Sequence, residues 1–238
     1  MSDVFSGIDK IFIINLPERS DRRRQMQRQL CKLGLSLQDS RVELFAASRP
    51  EAQLDWPSLG ARGCFQSHYQ IIKNAYDLDL KAIMVLEDDC DFIDTVMDYW
   101  PDLHESLQTL SWDIAYPGHP LLPAKTPVTT AWRATRESIG LAHCYMVNRS
   151  VMPVLLGFLE TVMARPAGHP LGGPQHYDGA LNTFYFQYPD VKVVVAEPSI
   201  AFQRRSRSDI STGRFDAMPV ISRLITFYRV LRYRLTAR

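Results

Sequence analysis

No two of the four cysteines share a C-x-x-C spacing: Cys31, Cys64, Cys90 and Cys144 lie far apart along the chain. That argues against a zinc cluster or a disulfide framework and suits a reducing compartment. The opening "MSDVFSGIDK" has no apolar signal-peptide core. No apolar run approaches the roughly 20 residues of a membrane span, so the expectation is a cytoplasmic protein. Also missing are a Walker-type phosphate loop, a G-x-G-x-x-G turn and a G-x-S-x-G nucleophile elbow, together with the chemistries they announce. A net charge of +1 gives no basis for a nucleic-acid partner. There is no internal repeat and no convincing linker.

What remains is an ordinary globular composition, 46% hydrophobic and 22% charged over 238 residues, long enough to bury a sizeable core. Strand-like text alternates with helix-like text. "KIFIINL" (10–16), "VELFAA" (42–47), "IMVL" (83–86), "DIAYPG" (113–118), "LAHCYMV" (141–147) and "VKVVVAEP" (191–198) read as strands. Between them, helices are predicted over 20–33 with Ser20 as N-cap and Gly34 as stop, over 65–78, around 97–110 with an interruption at Pro101, and over 149–164. In the second helix Phe65, Tyr69, Ile72 and Tyr76 form the apolar stripe, leaving Ser67 and His68 off it. This alternation predicts a single α/β domain, a mostly parallel twisted sheet covered by helices on both faces.

One stretch asks for a chemical explanation. In "IMVLEDDCDF" (83–92) a buried strand runs into Glu87, Asp88, Asp89 and Asp91, and carboxylates that close repel unless something positive sits among them. The motif reads either as a solvated loop with an acidic N-cap or as a divalent-metal site at the carboxyl end of a strand. Upstream, Arg22, Arg23 and Arg24 fall in a predicted first helical turn, where the macrodipole disfavours cations. They make either a solvated basic face or a dock for an anion such as phosphate. In "HYDGALN" (176–182), Asp178 opens a helix, as an N-cap or as a general base.

Three segments, "IFIINLPERSDRRRQM", "GARGCFQSHYQIIKNA" and "IMVLEDDCDF", resemble glycosyltransferase family 25 in order and spacing. "GLAHCYMVNRSV" and "FQRRSRSDI" look like that family's later segments. The family often has an acid shortly before its Gly-Cys pair; here Arg62 stands there and receives no role. The resemblance implies a GT-A-like fold over residues 1–203, a nucleotide-sugar donor such as a UDP-hexose, and Mn²⁺ or Mg²⁺ at the acidic motif. It puts Asn15, Arg19 and Arg22 at the nucleotide end, with Ser67 and His68 supporting the pocket. Glu87 would lie near the ribose or metal-bound water, and Asp89 and Asp91 would hold the metal, with Asp88 able to exchange roles. The implied reaction is inverting transfer of a hexose, galactose first, to a sugar hydroxyl of a glycan such as lipopolysaccharide. Asp178 is the expected base and Glu87 the second choice. The alternatives are a non-catalytic carbohydrate-binding scaffold of the same fold, and a sugar-nucleotide hydrolase.

From Gln203 onward nine arginines face only two aspartates, leaving the remainder of the chain at about −6. Within 220–238 Ile221, Leu224, Ile225, Tyr228 and Leu231 recur at helical spacing beside arginines and no acid. Residues 204–238 therefore read as a basic amphipathic extension. It would make peripheral contact with an anionic membrane carrying a lipid-linked oligosaccharide acceptor, or pack on protein.

Overall fold

The computed structural model describes residues 4–122 and 130–204, and the stripe in 220–238 lies outside them. β1 (Lys10–Asn15), β2 (Val42–Ala46), β3 (Ala82–Glu87), β5 (Ile114–Tyr116), β6 (Ala131–Ala134), β7 (Cys144–Asn148) and β8 (Val193–Glu197) form one sheet, in the order β2-β1-β3-β7-β5-β8-β6. Five of these seven strands run in one direction, while β7 and β6 are reversed. β4 (Cys90–Phe92) and β9 (Ala201–Gln203) form a separate antiparallel ribbon. Short strands such as β4, β6 and β9 carry too few alternating positions to stand out in sequence.

Strand alternation divides the core in two. Phe12, Ile83, Val85, Tyr145 and Val147 face α2 (Leu59–Asp77), α4 (Met152–Ala164) and α5 (Tyr177–Gln187). Ile11, Ile13, Met84, Leu86 and Met146 face α1 (Ser20–Lys32) and α3 (Val96–Thr109). Both faces are covered, which is why the strands read as continuous apolar runs. The expected α/β domain with helices on both sides of the sheet is what is found.

The helix boundaries carry most of the departures. α1 begins at Ser20 with Arg19 as its cap residue, one position earlier than expected, and Gly34 ends it at φ +70°. α2 starts six residues before the expected Phe65, capped by Ser58, whose Oγ accepts the Ala61 N–H at 3.0 Å. The glycines of "GARG" suggest a loop, but Gly63 serves close packing. A Cβ there would meet the Ser48 carbonyl oxygen at 2.5 Å. The buried face of α2 runs through Phe65, His68, Ile71, Ile72 and Ala75, so His68 belongs to it and Tyr76 does not. α3 passes through Pro101 without interruption. Among the described residues no helix is long and apolar enough to cross a membrane.

Candidate active site

The carboxyl ends of β1, β3 and β5 and the start of β7 meet at one edge of the sheet. That edge is where open α/β sheets bind ligands. β1 delivers Asn15 there and β3 delivers Glu87, followed by Asp88 and Asp89 in the turn to β4. All four residues are largely withdrawn from solvent, Asp88 and Asp89 to 7% exposure.

The acids are not equivalent. Asp88 is fully engaged: Arg22 Nη1 donates to its Oδ1 at 2.5 Å and Asn15 Nδ2 to its Oδ2 at 2.7 Å. Arg22 thus turns inward from the first turn of α1 rather than facing an outside anion, and it reaches Asp89 at only 3.5 Å. Arg23 supports Asn15 by donating to its Oδ1 at 3.1 Å, while Arg24 reaches back to Ser20 Oγ at 3.4 Å. Arg19 forms a fork with Asp21 at 2.9 and 3.0 Å, which holds the Asp21 carboxyl down at about 2. Asp91 is bound by both prongs of Arg204, one at 2.9 Å, and Arg204 also donates to Gln25.

Glu87 and Asp89 share one neutral donor. Gln203, brought in by the pairing of β9 with β4, donates from Nε2 to Glu87 Oε2 at 3.2 Å and to Asp89 Oδ1 at 3.4 Å. Burial, then the neighbouring charge of Asp88, pushes Glu87 up to about 7. Burial, then the charge of Glu87, does the same for Asp89. Arg22 and the Gln203 amide only partly oppose this. A half-buried and a buried carboxylate with one arginine beside them, at 3.5 Å from Asp89, fit a hard divalent cation, since Mg²⁺ sites commonly use one or two protein carboxylates and leave the rest to phosphate and water.

α2 places His68 against Glu87. The ring is fully buried and stacked on Tyr177 at 4.1 Å, and Nδ1 lies 2.9 Å from Tyr145 Oη. Nε2 approaches Glu87 Oε1 at 3.4 Å without a hydrogen-bond partner. Burial lowers this histidine to about 3, so it is a neutral imidazole at physiological pH. Ser67, also fully buried, uses its hydroxyl inside the fold, donating to Gly63 O at 2.7 Å and accepting the Ser48 N–H at 2.8 Å. It ties α2 to the segment after β2. Arg62 donates to the Ala52 carbonyl, away from these groups.

Asp178 lies in the first turn of α5, behind the cap residue His176. Its Oδ1 accepts the Gly179 N–H at 2.8 Å, and it remains partly exposed. It lies close enough to Glu87, His68 and Cys64 for their charges and its own to act on one another. Burial raises its carboxyl above the ordinary range, with the Gly179 N–H opposing. Gln203, Tyr145, Tyr177 and Cys64 have no role legible in the sequence alone. All four sit inside quoted segments: Gln203 in "FQRRSRSDI", Cys64 in "GARGCFQSHYQIIKNA", Tyr145 in "GLAHCYMVNRSV" and Tyr177 in "HYDGALN".

Residues 8–116 match the family profile described as "Glycosyltransferase family 25 (LPS biosynthesis protein)". The chain is 30% identical over 221 residues to "Procollagen galactosyltransferase 2" of Homo sapiens, covering 82% of this chain and 35% of that protein. It is 33% identical over 140 residues to "Procollagen galactosyltransferase 1" of Danio rerio, covering 51% of this chain and 23% of that protein. It is 31% identical over 130 residues to "Inactive glycosyltransferase 25 family member 3" of Mus musculus, covering 47% and 22% respectively. The chain therefore spans between about a quarter and about a third of the length of these curated relatives. The matched span holds β1, α1, α2 and the acidic turn, and the likeness to the human relative extends well beyond it. Together these matches support assigning the chain to glycosyltransferase family 25, whose profile it matches over residues 8–116.

Proposed function

We propose that this protein is a metal-dependent, inverting glycosyltransferase that moves a hexose, galactose from UDP-galactose in the first instance, to a sugar hydroxyl of a glycan. The observation carrying this reading is the pairing of half-buried Glu87 with buried Asp89 at the carboxyl end of β3, bridged by the Gln203 amide, with Arg22 reaching Asp89 at 3.5 Å. Glu87 and Asp89 would hold Mn²⁺ or Mg²⁺, which when bound supplies positive charge for a departing diphosphate. Asp91, expected as a second ligand, has its carboxylate taken up by Arg204, so Glu87 is the better partner for Asp89.

The chain's own residues then divide the work. Arg22 and Asn15 fix Asp88 and with it the turn that presents Glu87 and Asp89. The neutral His68 packs against Glu87 and sets its orientation. Asp178 takes the proton of the acceptor hydroxyl as that oxygen attacks the anomeric carbon and the bond to the nucleotide diphosphate breaks. Its raised proton affinity brings it closer to the range in which a base works at neutral pH. A glycan of the lipopolysaccharide type, presented on the cytoplasmic face of a membrane, is the acceptor class we favour. Arginines 223, 229, 232 and 234 would attract that surface.

One relative is an inactive family member, so turnover itself needs measurement. UDP release from UDP-galactose with Mn²⁺ should depend on an added acceptor glycan. Equal release with water alone identifies a hydrolase. Donor binding without release under any acceptor identifies a scaffold.

A further inference from the structure

Beside the acidic turn lies a second group of donors that the reaction above does not use as a set. Cys64 and His68 stand four residues apart on α2, on one face of the helix, and Glu87 closes the triangle from the end of β3. Their ligand atoms all lie within 4.8 Å of one another, and among the described residues this is the only such His/Cys/Asp/Glu group of three. The histidine is prepared as a ligand. Nδ1 is committed to Tyr145 Oη at 2.9 Å, Tyr145 Oη is steadied by Tyr177 Oη at 3.0 Å, and the stack on Tyr177 fixes the ring plane. That leaves Nε2, wholly buried, without a hydrogen-bond partner and aimed at Glu87. Buried polar atoms are rarely left so, and a metal-binding imidazole normally has its other nitrogen engaged in this manner.

We propose that Cys64, His68 and Glu87 form a site for a borderline-soft divalent cation of the Zn²⁺ class, separate from the hard-cation position but sharing Glu87 with it. A thiol, an imidazole and a carboxylate are the donors that Zn²⁺ and Co²⁺ select over Mg²⁺ and Mn²⁺. Three protein ligands with a fourth position open is a common arrangement for such ions. Ligand distances of about 2.0–2.3 Å require the three donors to close in by about 1 Å, within reach of rotations at the Cys64 and Glu87 side chains. The surroundings favour a cation. The carboxylates of Glu87, Asp178 and Asp89 lie near the Cys64 thiol, so a divalent ion would relieve repulsion as the thiolate forms. Filling this site removes Glu87 from the acidic turn. If the glycosyltransferase reading holds, Zn²⁺ therefore antagonises Mn²⁺-supported transfer.

The test uses the full chain without an affinity tag, stripped by chelator, with Co²⁺ alone as the probe. Expected are a sulfur-to-cobalt charge-transfer band in the near ultraviolet and tetrahedral visible bands, both displaced by stoichiometric Zn²⁺. They should be lost in Cys64→Ser and kept in Cys31→Ser and Asp89→Asn. In the unaltered protein, Zn²⁺ should slow alkylation of Cys64, followed by mass spectrometry, by roughly tenfold or more, because the free thiolate is the reacting form. No thiolate band with the parent protein, a band that survives Cys64→Ser, or Cys64 alkylation indifferent to Zn²⁺ would each overturn the proposal. These readouts involve no nucleotide sugar, so their failure leaves the proposed transfer reaction untouched, and failure of transfer leaves them standing.

Discussion

Asp89→Asn should raise the stability of the metal-free protein at pH 8, although it removes a residue we place in the site. In the folded chain Asp89 is held up to about 7 from an ordinary 3.8. A pKa unit corresponds to about 1.4 kcal/mol, so full ionisation of this group would cost the fold at most about 4 kcal/mol. The pair titrates jointly with Glu87, and whichever acid ionises first carries less of that cost. Roughly half, about 2 kcal/mol, is a sound expectation for the gain on neutralising one partner, equivalent to a rise of roughly 4–8 °C in melting temperature for a chain of this size. The sign follows from proton counting. Between the unfolded value near 4 and the folded value near 7, the folded state holds protons that the unfolded chain has released, so parental stability falls as pH rises through that window. The asparagine can still accept from Gln203, and Arg22 keeps its closer partner Asp88. The assay is thermal unfolding in EDTA from pH 4 to 8 for parent and variant. The curves should converge near pH 4 and separate by pH 8, with the variant higher. A variant that melts level with or below the parent at pH 8 refutes the claim that buried, only partly compensated charge strains this turn.

Other substitutions probe other parts of the account. Arg22→Ala leaves Asp88 buried with only the Asn15 amide, and should lose about 3–5 kcal/mol in chemical unfolding. Gly63→Ala forces a Cβ to within 2.5 Å of the Ser48 carbonyl, and should lower the denaturation midpoint by the equivalent of about 1–3 kcal/mol. Asp178→Asn should leave donor affinity nearly intact in calorimetry while turnover falls roughly 10²–10⁴-fold. A parallel loss of both would make Asp178 a binding residue.

How much of this is legible in sequence depends on how local the cause is. β1, β3 and the acidic turn stand out because an uninterrupted apolar run followed by four acids has few physical explanations. The identity of the engaged acid does not stand out. Arg22 looks like part of an outward basic face, yet the helix start turns it onto Asp88, 66 residues away. Gln203 and Arg204 reach the acids only through the β4–β9 pairing, across more than 100 residues. No periodicity in three-residue strands announces that pairing. His68 reads as lying off the apolar stripe because its chemistry is polar. Its burial becomes intelligible only when Tyr145 and Tyr177 arrive from distant elements to bond and stack against it.

The central claim is that Glu87 and Asp89 hold a divalent cation on which the nucleotide-sugar donor depends. Calorimetric titration of UDP-galactose into the full chain tests it most directly, in Mn²⁺ and then in EDTA, for the parent and for Asp89→Asn. The parent should bind in Mn²⁺, and both EDTA and the substitution should abolish that binding. Equal affinity in EDTA, or undiminished Mn²⁺-dependent binding by Asp89→Asn, would contradict it.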